Sequence, residues 1–154
     1  MIFAVSLNDV PVLQKLIGQE FPYIKKPREQ LKSRIQNPFF FLFKIESSQK
    51  LAGFCEIEVL EENRTVRLNA LAILPEFRKK GQGNQLLKET LQFLKEKKFE
   101  TVWLLVKREN KIAQQLYKKN GFEWQQTLPK KIDNAVVEEY KLELRKNKTA
   151  SGIA

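Results

Sequence analysis

Apolar and polar positions along the chain fall into two rhythms. Where apolar residues recur every three or four positions, the pattern predicts an amphipathic helix. Where they run almost unbroken over a short segment, it predicts a buried strand. Read this way, "IFAV" at residues 2–5 is a short first strand. In "SLNDVPVLQKLI", Asp9 is placed to cap a helix, Pro11 suits its first turn, and Val12, Leu13, Leu16 and Ile17 share a face. "KPREQLKSRIQNP" predicts a second helix, opened by Pro27 and closed before Pro38, with Leu31 and Ile35 one turn apart. "FFFLFKIE" is a strongly apolar strand, "SSQK" a turn, and "LAGFCEIEVLEE" the hairpin partner. "TVRLNALAIL" is a further strand, ended by Pro75.

Residues 84–97 then predict an amphipathic helix with Leu87, Leu91 and Leu94 on one stripe. "ETVWLLVK" predicts a buried strand, and residues 111–119 a short helix that Gly121 can stop in a left-handed cap. "FEWQQT" and "VVEEYKLELR" are late strands around a turn of Pro, Lys, Asp and Asn, and the small, polar end "KNKTASGIA" is expected to fray. No internal repeat and no interdomain linker interrupts the pattern. The predicted architecture is one mixed α/β domain over residues 1–146, a sheet of about seven strands with flanking helices, followed by a flexible tail at 147–154.

Composition narrows the chemistry. At 154 residues, 42% hydrophobic and 30% charged, the chain suits one soluble globular domain. No apolar run reaches the length of a membrane span, and the N-terminal residues lack the layout of a signal peptide. Cys55 is the single cysteine, which agrees with a reducing, cytoplasmic setting. With no histidine and one cysteine, a metal site is not expected, and a Ser–His or Cys–His nucleophile pair is excluded. The net charge of +10 has two readings. One is a Lys-rich solvated surface; the other is a polyanionic partner, either nucleic acid or a cofactor with several phosphates.

The stretch "RKKGQGNQLL" at residues 78–87 favours the phosphates. It stands between a predicted strand and a predicted helix, where unpaired N–H groups and the positive dipole end favour an anion. Gly81 and Gly83 let a phosphate approach the backbone, and Arg78, Lys79 and Lys80 add positive charge. It is neither a Walker motif nor G-x-G-x-x-G, since Leu86 occupies the third glycine's place. Alone it is equally a plain turn capping a helix. It is not alone: the R-x-x-G-x-G of Arg78, Gly81 and Gly83 is followed by "VKRENKIAQQLYKKNGF".

Together the two motifs resemble the GNAT superfamily of acyl-CoA-dependent N-acetyltransferases, most closely over residues 66–124. The resemblance implies a single GNAT-like domain of mostly antiparallel strands with a splayed central strand pair. It implies that backbone amides from Arg78 through Lys79, Lys80, Gly81, Gln82, Gly83 and Asn84 to Gln85 hold the pyrophosphate of coenzyme A. It implies that the backbone of Leu71, Ala72 and Ile73 pairs with the pantetheine arm, and that strand amides near Ile73 stabilise an oxyanion. Asn110 fits the family's cofactor-contacting asparagine, although an N-cap role alone would explain it. Tyr117 fits the tyrosine that protonates the leaving thiolate, since a phenol with pKa of about 10 keeps its proton at neutral pH. The alternative for Tyr117 is an ordinary core tyrosine, and Gly121 and Phe122 serve the fold.

The chain departs from the family at the general base. Relatives carry a glutamate at the position of Arg67 or at that of Leu105. Glu56 and Glu58, on one face of the hairpin strand, are the carboxylates left as candidates. A site without a strong base suits an α-amine, which costs about 1–1.4 kcal/mol to deprotonate at pH 7, against roughly 4.6 for a lysine amine. The basic surface also disfavours polycationic acceptors such as polyamines. The expected activity is acetyl transfer from acetyl-CoA to a primary amine, a peptide N-terminus ahead of a small amine, by direct attack in a ternary complex. The expected state is a monomer or homodimer with no membrane partner. The competing readings are a non-catalytic acyl-CoA-binding regulatory module and a basic nucleic-acid-binding protein on the same fold.

Overall fold

The structure is a computed structural model, and it describes residues 1–60 and 64–145. The end of the predicted "LAGFCEIEVLEE" strand, at residues 61–62, and the predicted tail at 147–154 lie outside the described residues. Among the described residues seven strands, β1 (Ile2–Ala4), β2 (Phe40–Ser47), β3 (Lys50–Val59), β4 (Thr65–Ile73), β5 (Thr101–Lys107), β6 (Glu123–Thr127) and β7 (Val137–Glu143), follow the order β1-β2-β3-β4-β5-β7-β6. Contacts divide the chain into two compact units, with strand β4 contributing to both.

The first unit comprises residues 1–59 and 68–90. Strands β1 (Ile2–Ala4), β2 (Phe40–Ser47) and β3 (Lys50–Val59) form an antiparallel meander, with Phe43 opposite Cys55. Helices α1 (Val10–Glu20) and α2 (Pro27–Ile35) supply Leu13, Leu16, Ile17 and Leu31 to a core shared with Leu42, Phe54 and Ala72. Two expectations for α1 change. Val12 is 45% exposed, and Val10 is buried instead. With the helix beginning at Val10, steps of 100° set Val10, Leu13 and Ile17 on one stripe and leave Val12 outside it. Asp9 stands at the N-cap position of α1, but its side chain makes no capping hydrogen bond there. Its carboxylate accepts the Ser6 amide at 2.8 Å and meets Lys44 Nζ at 3.0 Å, closing the single 3₁₀ turn Leu7–Asp9 that precedes the helix.

Strand β4 (Thr65–Ile73) follows, and it passes close to β3 at Gly53. A Cβ there would meet Ile73 Cδ1 at 2.4 Å and the Ala72 carbonyl oxygen at 2.7 Å. No larger residue fits without moving the backbone of Ala72 and Ile73.

The second unit comprises residues 60–67 and 91 onward. Strand β7 (Val137–Glu143) pairs antiparallel with β5 (Thr101–Lys107) on one side and with β6 (Glu123–Thr127) on the other. Helix α4 (Lys111–Lys119) packs through Gln114, whose side-chain oxygen accepts the buried Tyr140 hydroxyl at 3.1 Å. Strand β5, read from its apolar run as buried on both faces, alternates: Val102, Leu104 and Val106 are buried, while Leu105 is 41% exposed. The unbroken run hides this because Trp103 and Leu105 are apolar residues on the open face. No helix among the described residues is long and apolar enough to cross a membrane.

Candidate active site

Helix α3 (Gln82–Glu96) begins two residues earlier than its apolar stripe predicts, so Gly83 lies in its first turn rather than in the preceding loop. The loop before it passes twice through the left-handed region, at Lys79 (φ 63°) and Gly81 (φ 76°). Glycine adopts that conformation freely, whereas Lys79 does so at a cost. Alternation of this kind turns successive amides toward one concave side. The Gly81 carbonyl accepts the Gln85 amide at 3.0 Å, which is the first intrahelical bond. The amides of Gln82, Gly83 and Asn84 precede it and have no acceptor within the helix. The amides at the two ends of the predicted segment are committed within the protein, Gln85 to Gly81 and Arg78 to the Pro75 carbonyl at 3.3 Å.

Side chains brace this backbone. Arg78 Nε donates to the Ile73 carbonyl at 2.9 Å, and its guanidinium pairs with Glu20, which ties the loop to the end of β4 and to α1. Gln85 donates to Glu89 at 2.9 Å, and Glu89 also pairs with the N-terminal ammonium at 3.1 Å. Burial opposes the ionised form of Glu89, but the hydrogen bond from Gln85 and the N-terminal charge together lower its pKa. Lys79, Lys80 and Gly81 are exposed, and Lys80 Nζ lies 5.9 Å from the Phe77 ring centre. Leu71 is half-buried, and the side chains of Ala72 and Ile73 are buried.

In the second unit, Asn110 is the N-cap of α4, its side chain accepting the Ala113 amide at 3.1 Å. Gln114 Nε2 donates to the carbonyls of Arg108, Lys107 and Asn110, at 2.7, 3.3 and 3.3 Å, and so fixes the turn from β5 into α4. The other end of α4 is closed by Gly121 at φ 93°. Phe122 N–H donates to the Tyr117 carbonyl and Gly121 N–H to that of Lys118, the two bonds of a Schellman cap. The Tyr117 ring, 8% exposed, meets Phe122 edge-on at 5.6 Å. Tyr117 is therefore held by backbone and ring at once.

The carboxylates sort by their partners. Glu56 is buried, and its Oε2 accepts Arg34 Nη1 at 2.5 Å and Asn69 Nδ2 at 2.9 Å, while Asn69 also donates to Glu58 at 2.9 Å. Glu56 is 5% exposed and held by these two partners, so it offers little surface for an acceptor amine to reach. Glu138 is buried too. The Thr127 hydroxyl hydrogen bond lowers its pKa most, burial opposes this, and Arg108 Nε at 3.1 Å and Trp124 Nε1 at 3.3 Å lower it further. Burial pushes the Cys55 thiol up to about 12, so it is an inert core residue. Among the described residues there is no group of three or more Cys, Asp or Glu that could hold a metal ion.

Arg67 and Leu105, the two positions at which the family resemblance leads one to expect a glutamate, line one cavity of about 270 Å³ together with Leu60, Trp103, Leu104 and Glu139. The sequence offered no signal for Glu139, Glu138, Gln114 or Arg34, because each takes its role from a neighbour on another element.

Comparison with known proteins agrees with this fold. A putative ribosomal protein bS18-alanine N-acetyltransferase of Bacillus subtilis is 33% identical over 89 residues, so the match spans 58% of this chain and 58% of that relative's length. The fold superposes on the ribosomal-protein-S18-alanine N-acetyltransferase of Escherichia coli at TM-score 0.81 and 19% identity, over 95% of this chain and 94% of that one. It superposes on spermidine N-acetyltransferase of Vibrio cholerae, solved with CoA and spermine, at TM-score 0.82 and 22% identity, over 94% and 95%. At these identities the superpositions establish the fold. Residues 11–122 match the acetyltransferase (GNAT) family, and the chain belongs to that family.

Proposed function

We propose that the chain transfers an acetyl group from acetyl-CoA to a primary amine by direct attack in a ternary complex. The observation that carries this reading is the start of α3. There a left-handed glycine and a first helical turn containing a second glycine follow a basic segment, in the motif the family resemblance assigns to pyrophosphate. The N–H groups of Gln82, Gly83 and Asn84 supply the cradle, and Lys79 and Lys80 supply charge. Arg78 acts through the loop it braces. The backbone of Leu71, Ala72 and Ile73 receives the pantetheine arm, with their side chains left to the core. Asn110 contacts the cofactor while capping α4. Tyr117, held by its cap and by Phe122, protonates the thiolate as the thioester breaks.

The acceptor we favour is an α-amine at a peptide N-terminus, which is cheaper to deprotonate than a side-chain amine. Two likenesses bear on it: the Bacillus relative is named for an alanine acceptor, and the Vibrio neighbour for spermidine. The net charge of +10 weighs against the polyamine. The test is thiol release from acetyl-CoA with an alanine-initiated hexapeptide and with spermidine. Faster release with the peptide is expected. Cofactor binding without release from either amine would make the chain a regulatory acyl-CoA module. RNA binding with a steep salt dependence, and no CoA binding, would make it a nucleic-acid-binding protein.

A further inference from the structure

The cavity on the open face of the second unit holds a carboxylate that the sequence pattern did not reveal. Strand pairing sets Glu139 on β7 directly opposite Leu105 on β5. Opposed residues of an antiparallel pair share a face, with Cβ atoms about 5 Å apart. Glu139 therefore presents its carboxylate into the cavity that Arg67, Trp103 and Leu105 also line. Its neighbours Glu138 and Tyr140 lie on the opposite face, where Tyr140 meets α4.

We propose that Glu139 is the general base of the reaction, replacing the glutamates absent from positions 67 and 105. This rests on the acetyl-transfer reading above. Glu139 is half-buried, and its Oε1 accepts one hydrogen bond, from Gln126 Nε2 at 3.0 Å. A carboxylate has two oxygens and about four acceptor sites, so Glu139 retains capacity to accept from an ammonium. The other charged groups on this face are Arg67 of β4, Lys107 of β5, Glu123 of β6, and Lys141 and Glu143 of β7. Lys141 Nζ is engaged by Glu143 at 2.8 Å and stands 5.1 Å from the Trp103 ring centre. Trp103 and Leu105 give the cavity an apolar wall against which an acceptor can be desolvated.

The step balances as follows. The acceptor enters as an ammonium and gives one proton to Glu139, directly or through one water. The neutral nitrogen attacks the thioester carbonyl and loses its second proton to solvent as the tetrahedral intermediate collapses. The C–S bond breaks, and the CoA thiolate takes the Tyr117 proton. Solvent restores Tyr117 and receives the proton from Glu139.

The experiment compares wild type with Glu139→Gln, using acetyl-CoA and the alanine-initiated hexapeptide across pH 6.5–9.5, with desulfo-CoA titrated in parallel. The variant is expected to lose about 10²-fold in kcat/KM at pH 7. The loss should shrink as pH rises and the peptide amine becomes neutral unaided, while the desulfo-CoA Kd stays unchanged. Glu139→Gln/Leu105→Glu is expected to recover at least tenfold, because it returns a carboxylate to the same cavity from the facing strand. A Glu139→Gln enzyme that tracks wild type at every pH overturns Glu139 and leaves acetyl transfer standing. A wild-type enzyme that binds desulfo-CoA but releases no thiol overturns acetyl transfer, and Glu139 as its base with it.

Discussion

The start of α3 and the face of β5 and β7, as proposed here, would recognise their ligands by different means. At α3 the working groups are backbone amides, and the side chains around them serve as braces: Arg78 to Ile73 and Glu20, Gln85 to Glu89. On the β5–β7 face and along α4 the working groups are side chains. Their placement depends on strand register and on caps: Glu139 opposite Leu105, and Tyr117 pinned through Gly121 and Phe122. A backbone site is sensitive to added Cβ atoms and tolerant of side-chain exchange. A side-chain site is the reverse.

Substitutions sharpen that contrast, the largest effect first. Gly83→Val places a branched side chain in the turn that must admit a phosphate. It is expected to weaken desulfo-CoA binding by more than about 10²-fold while the circular dichroism spectrum is retained. Calorimetry checks this, and retained affinity would move the pyrophosphate away from α3. Tyr117→Phe is expected to lower kcat by about 10²-fold with the CoA Kd altered less than about twofold, read by thiol release and calorimetry. An unchanged kcat would return Tyr117 to the core as a packing residue.

The smallest effect falls on stability. Glu138 has a folded-state pKa lowered by Thr127 and Arg108. A lowered carboxylate contributes stability that is full above its unfolded pKa of about 4.3 and is lost as pH falls through the folded value. Glu138→Gln is expected to cost about 1–3 kcal/mol at pH 7 by urea unfolding, with the difference closing in acid. A cost that persists unchanged below both pKa values would mean that packing, rather than the charge, holds this site.

The same contrast explains what could be read from the chain alone. Helix α3 with its glycine turn was legible because glycine spacing, a basic run and a helix pattern are local signals, and so were the Asn110 cap and the Gly121 stop. Its exact start was not: Gly81 accepts from Gln85 and carries the helix back over Gly83, which no apolar stripe records. Asp9 stands at the N-cap of α1 as its pattern suggested, but a 3₁₀ turn takes its carboxylate before the helix begins. Glu139, Glu138, Gln114 and Arg34 escaped entirely. A carboxylate in an alternating strand looks solvated until the partner strand's register shows what stands opposite. The apolar run "TVWLLVK" concealed an open face for the same reason.

The most direct measurement is a calorimetric titration of acetyl-CoA and desulfo-CoA into the intact chain. Micromolar binding of both, with one site per chain, is the predicted result. An isotherm without heat at millimolar cofactor, from folded protein, would contradict the central claim and reduce "RKKGQG" to a basic turn capping a helix.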